Sequence, residues 1–385
     1  MGSVKHMWMD AQERGWNSLE GRTCESCLNQ EDIWRLSHSC VENGDCDYCG
    51  ESDTAVLAVE WVQDHLYEVI GTYYAEPANA GTPRADGEWI VELVDTDDVL
   101  QDLGFYPNDT LRDEIIDADL TEQWVRAARG HWADIQDEDL MLYSWESFCQ
   151  ATKHQTRFNF RSVRREAYEQ EVPVADMLSV VGNEVSALIK TLAAGTELYR
   201  ARYLPASELA QLSASTMGPP PKEVASAGRM NPAGIPYFYA AFDVPTALAE
   251  IGLAPEGRLP AVAIFHNSRP LRVVDFSELP AIPSVFATDQ RAERITARFL
   301  RGFVGAITRR VEKDGREHID YVPSQIVCEY LAQAYSPEAG EAIDGIVFPS
   351  AVHDGGNNLV VFPSGKYFET DRFKGLSFVG AVQIE

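Results

Sequence analysis

Residues Gly228–Glu250 read GRMNPAGIPYFYAAFDVPTALAE. Gly228 to Gly234 carries the glycine, asparagine and proline of a turn, and Pro236 to Ala240 is a short β-prone run. Asp243-Val-Pro-Thr-Ala-Leu-Ala-Glu250 then reads as a strand end passing into a helix, with Pro245 and Thr246 at its start and Glu250 on its second turn. Turn, short strand and short helix within 23 residues predict an irregular α+β domain rather than a regular βαβ alternation.

The surrounding text supports this. After Leu192, glycine and proline become frequent. Further β-prone runs appear at Glu197 to Arg202, Ala261 to Phe265, Leu271 to Val274, Gly345 to Phe348 and Asn358 to Phe362. Helical patterns interrupt them at Asp289 to Ile307 and Ser324 to Tyr335. Neither a GxGxxG turn nor a P-loop is present to suggest a doubly wound nucleotide fold.

Upstream, the region from Asp53 to about Leu192 reads as mainly helical. Apolar residues recur at three- and four-residue steps in Thr54 to Tyr74, Leu120 to Ala128, Asp139 to Ala151 and Ala175 to Leu192. Glu76 to Glu88 reads as a loop, and Trp89 to Val94 as a short strand or buried turn. The expected domains are therefore 1–52, 53–192 and 193–385.

The first of these holds five of the seven cysteines. Cys24-x-x-Cys27 and Cys46-x-x-Cys49, with 18 residues between the pairs, have the spacing of two knuckles that place four thiolates around one Zn²⁺. A closed four-cysteine site has no open position, so its expected role is to fold the segment. Redox-active or unliganded thiols are the alternative reading, and Cys40 is a spare ligand.

Charge limits the partners. The formal net charge is −28, and residues 1–180 hold 13 Lys+Arg against 37 Asp+Glu, whereas 181–385 hold 19 against 23. Such a surface repels a phosphate backbone, which disfavours nucleic-acid and membrane-surface partners. The chain start lacks a signal-peptide core and no window suits a membrane span, so the expected compartment is the cytoplasm. One motif points the other way. Arg126-x4-His131 matches the Arg-x4-His of HEPN ribonucleases, though Gly130 would weaken a helix there.

In the C-terminal half, Arg200 and Arg202 alternate on the probable strand Glu197–Tyr203, and arginine can fork onto phosphate oxygens. Arg229 lies in the Gly-Arg-Met-Asn-Pro turn and Tyr239 on the strand after it. Singly, each has an ordinary structural reading: an ion-pair partner for Arg200, a core aromatic for Tyr239, a polar helix position for Glu250.

Together, Tyr-Arg-Ala-Arg, Gly-Arg-Met-Asn-Pro-x-Gly-Ile-Pro-Tyr-x-Tyr, Asp-x-x-Thr-Ala-Leu-Ala-Glu and Gly-Ile-Val-Phe-Pro-Ser350 closely resemble, in this order, the RES domain family. The resemblance covers Glu197 to Val361, and the family's Arg, Glu and Ser match Arg200, Glu250 and Ser350. The preceding helical segment resembles the HEPN/RES N-terminal domain. This implies an ADP-ribosyltransferase-like fold and destruction of NAD⁺ by hydrolysis or phosphorolysis, usually as a bacterial toxin checked by a small antitoxin; a cell-suicide effector in anti-phage defence is the other expected role.

On the same resemblance, Arg200 holds the phosphates with Arg202 and Arg229 beside it, and Tyr239 packs on the nicotinamide or its ribose. Glu250 accepts from the ribose 2′-hydroxyl, and Ser350 orients Arg200 or the ribose. Asn357 and Asn358 are both candidates for a further contact, with Asn357 the choice, and His353 is a candidate base. Expected partners are NAD⁺, inorganic phosphate, an antitoxin or a second copy of the chain. The alternative activities are ADP-ribosyl transfer to a macromolecule and RNA cleavage through Arg126 and His131.

Overall fold

A computed structural model describes Met9 and residues 11–160, 171–309, 315–337, 342–363 and 375–382. Most of the chain start, read above as free of a signal segment, lies outside them. Among the described residues no helix is long and apolar enough to cross a membrane. The chain folds into two compact units, residues 1–140 with 281–297 and residues 141–280 with 298–385.

The first unit opens on a three-stranded sheet in which β1 (Arg22–Cys24) and β2 (Glu42–Gly44) both pair antiparallel with a central β3 (Thr54–Ala58). β3 passes directly into α1 (Val59–Tyr73), whose inner face buries Val62, Leu66, Val69 and Ile70. The helical periodicity beginning at Thr54 therefore holds only from Val59. Thr-Ala-Val-Leu-Ala suits either period, and pairing with β1 and β2 selects the strand. Two capped helices of the same unit follow, α2 (Thr96–Leu103, Asp95 at its N-cap) and α3 (Asp109–Ala118, Asn108 at its N-cap).

Two short segments of this unit differ from expectation. Leu120 to Ala128 is not helical. Val125–Arg126 is a two-residue strand against Tyr74–Ala75, and the Trp124 indole N–H donates to Thr96 Oγ1 at 3.0 Å. In Trp89 to Val94 only Trp89 is in a strand, the second arm of a hairpin whose Asp86-Gly87 turn has φ of 51° and 89°; Ile90 is exposed.

The second unit is built on an eight-stranded mixed sheet: β4 (Ile189–Leu192), β5 (Glu197–Pro205), β6 (Phe238–Ala241), β7 (Arg258–Asn267), β8 (Leu271–Asp275), β9 (Gly345–Pro349), β10 (Asn357–Val361) and β11 (Leu376–Val382). Their order across the sheet is β11-β7-β5-β6-β10-β9-β8-β4. Only β8 and β9 run parallel. Period-two alternation divides the strand residues between two cores. Val274, Ile346, Phe348, Val360 and Phe362 pack with the helices that carry Phe148, Phe303 and Val327. Val273, Val347, Leu359 and Val361 pack with Phe238 and Phe265.

The α+β class thus holds for the whole chain. One local feature positions the site. α4 (Val244–Glu250) lies on β5, β6 and β7 through Ala201, Ala241, Ala247 and Val262. Such small side chains let a helix approach the sheet closely.

Candidate functional site

The sheet register assembles a cavity of about 320 Å³. Tyr199 of β5 faces Ala241 of β6, Ala241 faces Asn358 of β10, and Asn358 faces Phe348 of β9. All four line the cavity, together with Arg200, Arg229, Tyr239, Glu250 and Tyr321.

β5 and β6 meet at the single pair Tyr199 and Ala241. Beyond it, Arg200 Nη1 donates to the Tyr239 carbonyl at 2.5 Å, and its Cζ lies 5.2 Å from the Phe238 ring centre. Burial, with Arg202 nearby, pushes the guanidinium down to about 9, so it remains a cation at neutral pH. Its buried Nε has no hydrogen-bond partner among the described residues. A half-buried cation with a buried, unused donor, in a wall shared with a cavity, is suited to an anionic ligand.

The turn beside it is held by Asn231, which is 4% exposed. The Asn231 Nδ2 donates to the carbonyls of Ser226, Pro232 and Ile235, and its Oδ1 accepts from the Tyr239 hydroxyl at 2.8 Å. That hydroxyl also accepts from Met230 N–H. Arg229 is fixed from both ends: its Nη1 donates to the Thr308 carbonyl at 2.6 Å, and its own carbonyl accepts from Ser324 Oγ at 2.6 Å.

Across the cavity, Glu250 ends α4, whose N-cap Asp243 accepts from Thr246 N–H at 2.7 Å. Glu250 Oε1 accepts from Ser350 Oγ at 2.7 Å and from Asn358 Nδ2 at 2.6 Å. In this structure the Ser350 hydroxyl therefore reaches Glu250 rather than Arg200. His353 is half-buried, with Nδ1 3.0 Å from Thr246 Oγ1.

Of the residues singled out from sequence, Arg200, Arg229, Tyr239 and Glu250 share this cavity, and Ser350 is bonded to its carboxylate. Arg202 instead donates to the Thr216 carbonyl at 2.9 Å. Asn357 contributes its carbonyl to Phe242 N–H, and the lining asparagine is its neighbour Asn358. Strand parity separates the two: Asn358 shares a face with Val360 and Phe362, and Asn357 with Leu359 and Val361. Tyr199 adjoins a predicted arginine, whereas nothing local in the sequence marks Tyr321.

Near the chain start, the Sγ atoms of Cys24, Cys27, Cys46 and Cys49 all lie within 4.8 Å of one another. Cys24 and Cys49 are separated by 3.7 Å, too far for a disulfide and close to the edge of about 3.8 Å that a tetrahedron with Zn–S bonds near 2.3 Å requires. Cys24 N–H donates to Cys46 Sγ at 3.3 Å. The donor set fits one tetrahedral Zn²⁺, and the exposed Cys40 is not among the four.

Arg126 and His131 do not share a helix. Arg126 is on the two-residue strand and pairs with Asp102 at 3.4 Å. His131 follows Arg129 and Gly130, both at positive φ, and its Nδ1 accepts from Ala133 N–H at 3.2 Å.

A half-buried arginine and a tethered glutamate thus line one cavity against the mixed sheet of an α+β protein. Residues 197–374 match the model of the RES domain, and residues 40–166 match that of HEPN/RES N-terminal domain 1. The chain thus carries a RES domain preceded by a HEPN/RES N-terminal domain 1. No curated protein matches it.

Proposed function

We propose that the protein consumes NAD⁺ by breaking the bond between nicotinamide and ribose, acting as a toxin or anti-phage effector. The observation that carries this is that one cavity is lined both by Arg200, whose Nε has no partner among the described residues, and by Glu250, whose carboxylate is held by Ser350. The guanidinium takes a diphosphate oxygen, with Arg229 beside it. Tyr239 offers a ring to the nicotinamide or its ribose.

The electron pair of the C1′–N bond leaves with nicotinamide, which departs neutral. The ribose becomes oxocarbenium-like, and the Glu250 carboxylate stabilises the positive charge that develops there. An oxygen of water or inorganic phosphate then bonds to C1′; water releases a proton and yields ADP-ribose, and phosphate yields ADP-ribose 1-phosphate.

The test is product analysis of NAD⁺ incubated with purified protein, with and without phosphate. Free nicotinamide in an equal amount to either product is expected, and Glu250→Ala should lower turnover by roughly 100-fold or more. Wild-type turnover by Glu250→Ala would remove this site from the reaction. Labelled ADP-ribose bound covalently to a macromolecule would instead make the protein a transferase.

We further propose that Cys24, Cys27, Cys46 and Cys49 hold one structural Zn²⁺. The ion would tie the end of β1 and the short helix Glu25–Leu28 to the turn after β2, because Cys24 and Cys27 come from the former and Cys46 and Cys49 from the latter. Metal analysis should give one zinc per chain, lost in Cys24→Ser, and a chelator should unfold the first unit at lower temperature.

A further inference from the structure

Glu250 Oε1 receives two donors, Ser350 Oγ and Asn358 Nδ2, while Oε2 receives none from the described residues. Both donors are themselves fixed. Ser350 Oγ accepts from Val352 N–H at 3.2 Å and His353 N–H at 3.1 Å, so its acceptor sites are occupied and its single proton is directed to Glu250. Asn358 is 5% exposed and sits in β10 between Ala241 and Phe348. Next to a carboxylate its amide must present the NH₂ group, since the carbonyl oxygen would face like charge.

The Ser350-to-Gly356 loop is also clamped to the start of α4, where His353 Nδ1 meets Thr246 Oγ1 and Thr246 Oγ1 donates to Asp243 at 2.7 Å. The side chain of Glu250 is otherwise exposed, at the last residue of its helix, and free to change rotamer. Two donors on one oxygen remove that freedom and fix the plane of the carboxylate.

We propose that Asn358 is a positioning residue for the reaction: with Ser350 it anchors Oε1 of Glu250, so that Oε2 is the oxygen presented to the substrate ribose. This rests on the NAD⁺ reading above. Asn358 acts through Glu250, so its removal should act on turnover rather than on dinucleotide capture, which belongs to the arginines across the cavity.

The test compares wild type, Asn358→Ala, the near-isosteric Asn358→Asp, Glu250→Ala and the double variant Glu250→Ala/Asn358→Ala in NAD⁺ turnover, with folding checked by circular dichroism. Asn358→Ala should lower kcat about 10-fold or more with KM within about 3-fold. Asn358→Asp, which keeps the volume and reverses the donor, should lose at least as much. The double variant should match the residual rate of Glu250→Ala, because there is no carboxylate left to position.

Wild-type kcat in a folded Asn358→Ala or Asn358→Asp overturns the proposal. So does a further loss in the double variant as large as that in the single one. Absence of nicotinamide release by the wild type overturns the underlying NAD⁺ reading instead, and the two failures are thereby distinct.

Discussion

At the residue scale, Tyr239 shows how one side chain can serve fold and site together. It lines the cavity, and its hydroxyl joins the Asn231 and Met230 network. Tyr239→Phe keeps the ring and leaves Asn231 Oδ1 and Met230 N–H without their partner, which should cost about 1–3 kcal/mol in urea unfolding. Burial raises the Tyr239 phenol above its ordinary value, and Tyr237 and Cys328 are raised for the same reason. The neutral forms are favoured in the fold, so this stability is fully present below the ordinary values, about pH 10 for the phenols and about pH 9 for the thiol, and is lost as pH rises toward the folded-state values. Wild type should therefore lose more stability than Tyr239→Phe between pH 8 and pH 10.5; equal losses would remove Tyr239 from the alkaline transition. Arg200, Tyr239 and Glu250 were legible in sequence because motif order marked them. Asn358 was not distinguished from Asn357, because every following residue of Leu359 to Phe362 is apolar and alternation leaves no trace in such a run.

At the element scale, the site depends on a loop fitting against a helix start. A Cβ added at Gly356 would collide with Thr246 Oγ1 and lie 2.7 Å from His353 Nδ1. Thr246 is fully buried and already bonded to Asp243, so it cannot turn away. Gly356→Ala should cost about 1–3 kcal/mol by overpacking and should also lower NAD⁺ turnover, because Ser350 belongs to the displaced loop. Gly305→Ala serves as a control: this glycine lies in the helix Arg291–Thr308 with nothing within 4 Å of an added Cβ, and alanine there should stabilise by about 0.5–1 kcal/mol. Denaturation midpoints for the two variants should move in opposite directions, and a shared direction would contradict the packing argument. The elements read best from sequence were those with a long single period or a strong cap, such as Arg291–Thr308 and Val244–Glu250. Thr54 to Ala58 and Leu120 to Ala128 read as helical because a few apolar residues fit either period, and distant strand partners decide between them.

At the scale of the whole molecule, chain order and compact unit do not coincide. Residues 281–297 lie inside the stretch that matches the RES domain, yet they belong to the unit formed by residues 1–140. Phe286 is fully buried in the core of that unit, with its ring centre 5.7 Å from Phe105, and its carbonyl lies 3.0 Å from His65 Nε2. Ion pairs reinforce the segment: Arg35 with Asp289 at 2.8 Å, Arg291 with Asp137 at 3.0 Å and the half-buried Arg294 with the buried Glu138 at 2.8 Å. Sequence alone had no means to assign it, since Val285 and Phe286 resemble any apolar pair in a loop. Deleting residues 1–180 would therefore strip Phe286 of its core as well as removing the acidic half, so a point substitution is the cleaner probe. Phe286→Ala should destabilise the first unit by about 3–5 kcal/mol, through lost burial and the cavity left behind. Seven of the eight tryptophans precede residue 141, so intrinsic fluorescence reports mainly on that unit, whereas NAD⁺ turnover reports on the second. The fluorescence-detected urea midpoint should fall in Phe286→Ala; an unchanged midpoint would mean that the segment contributes nothing to the first unit's stability.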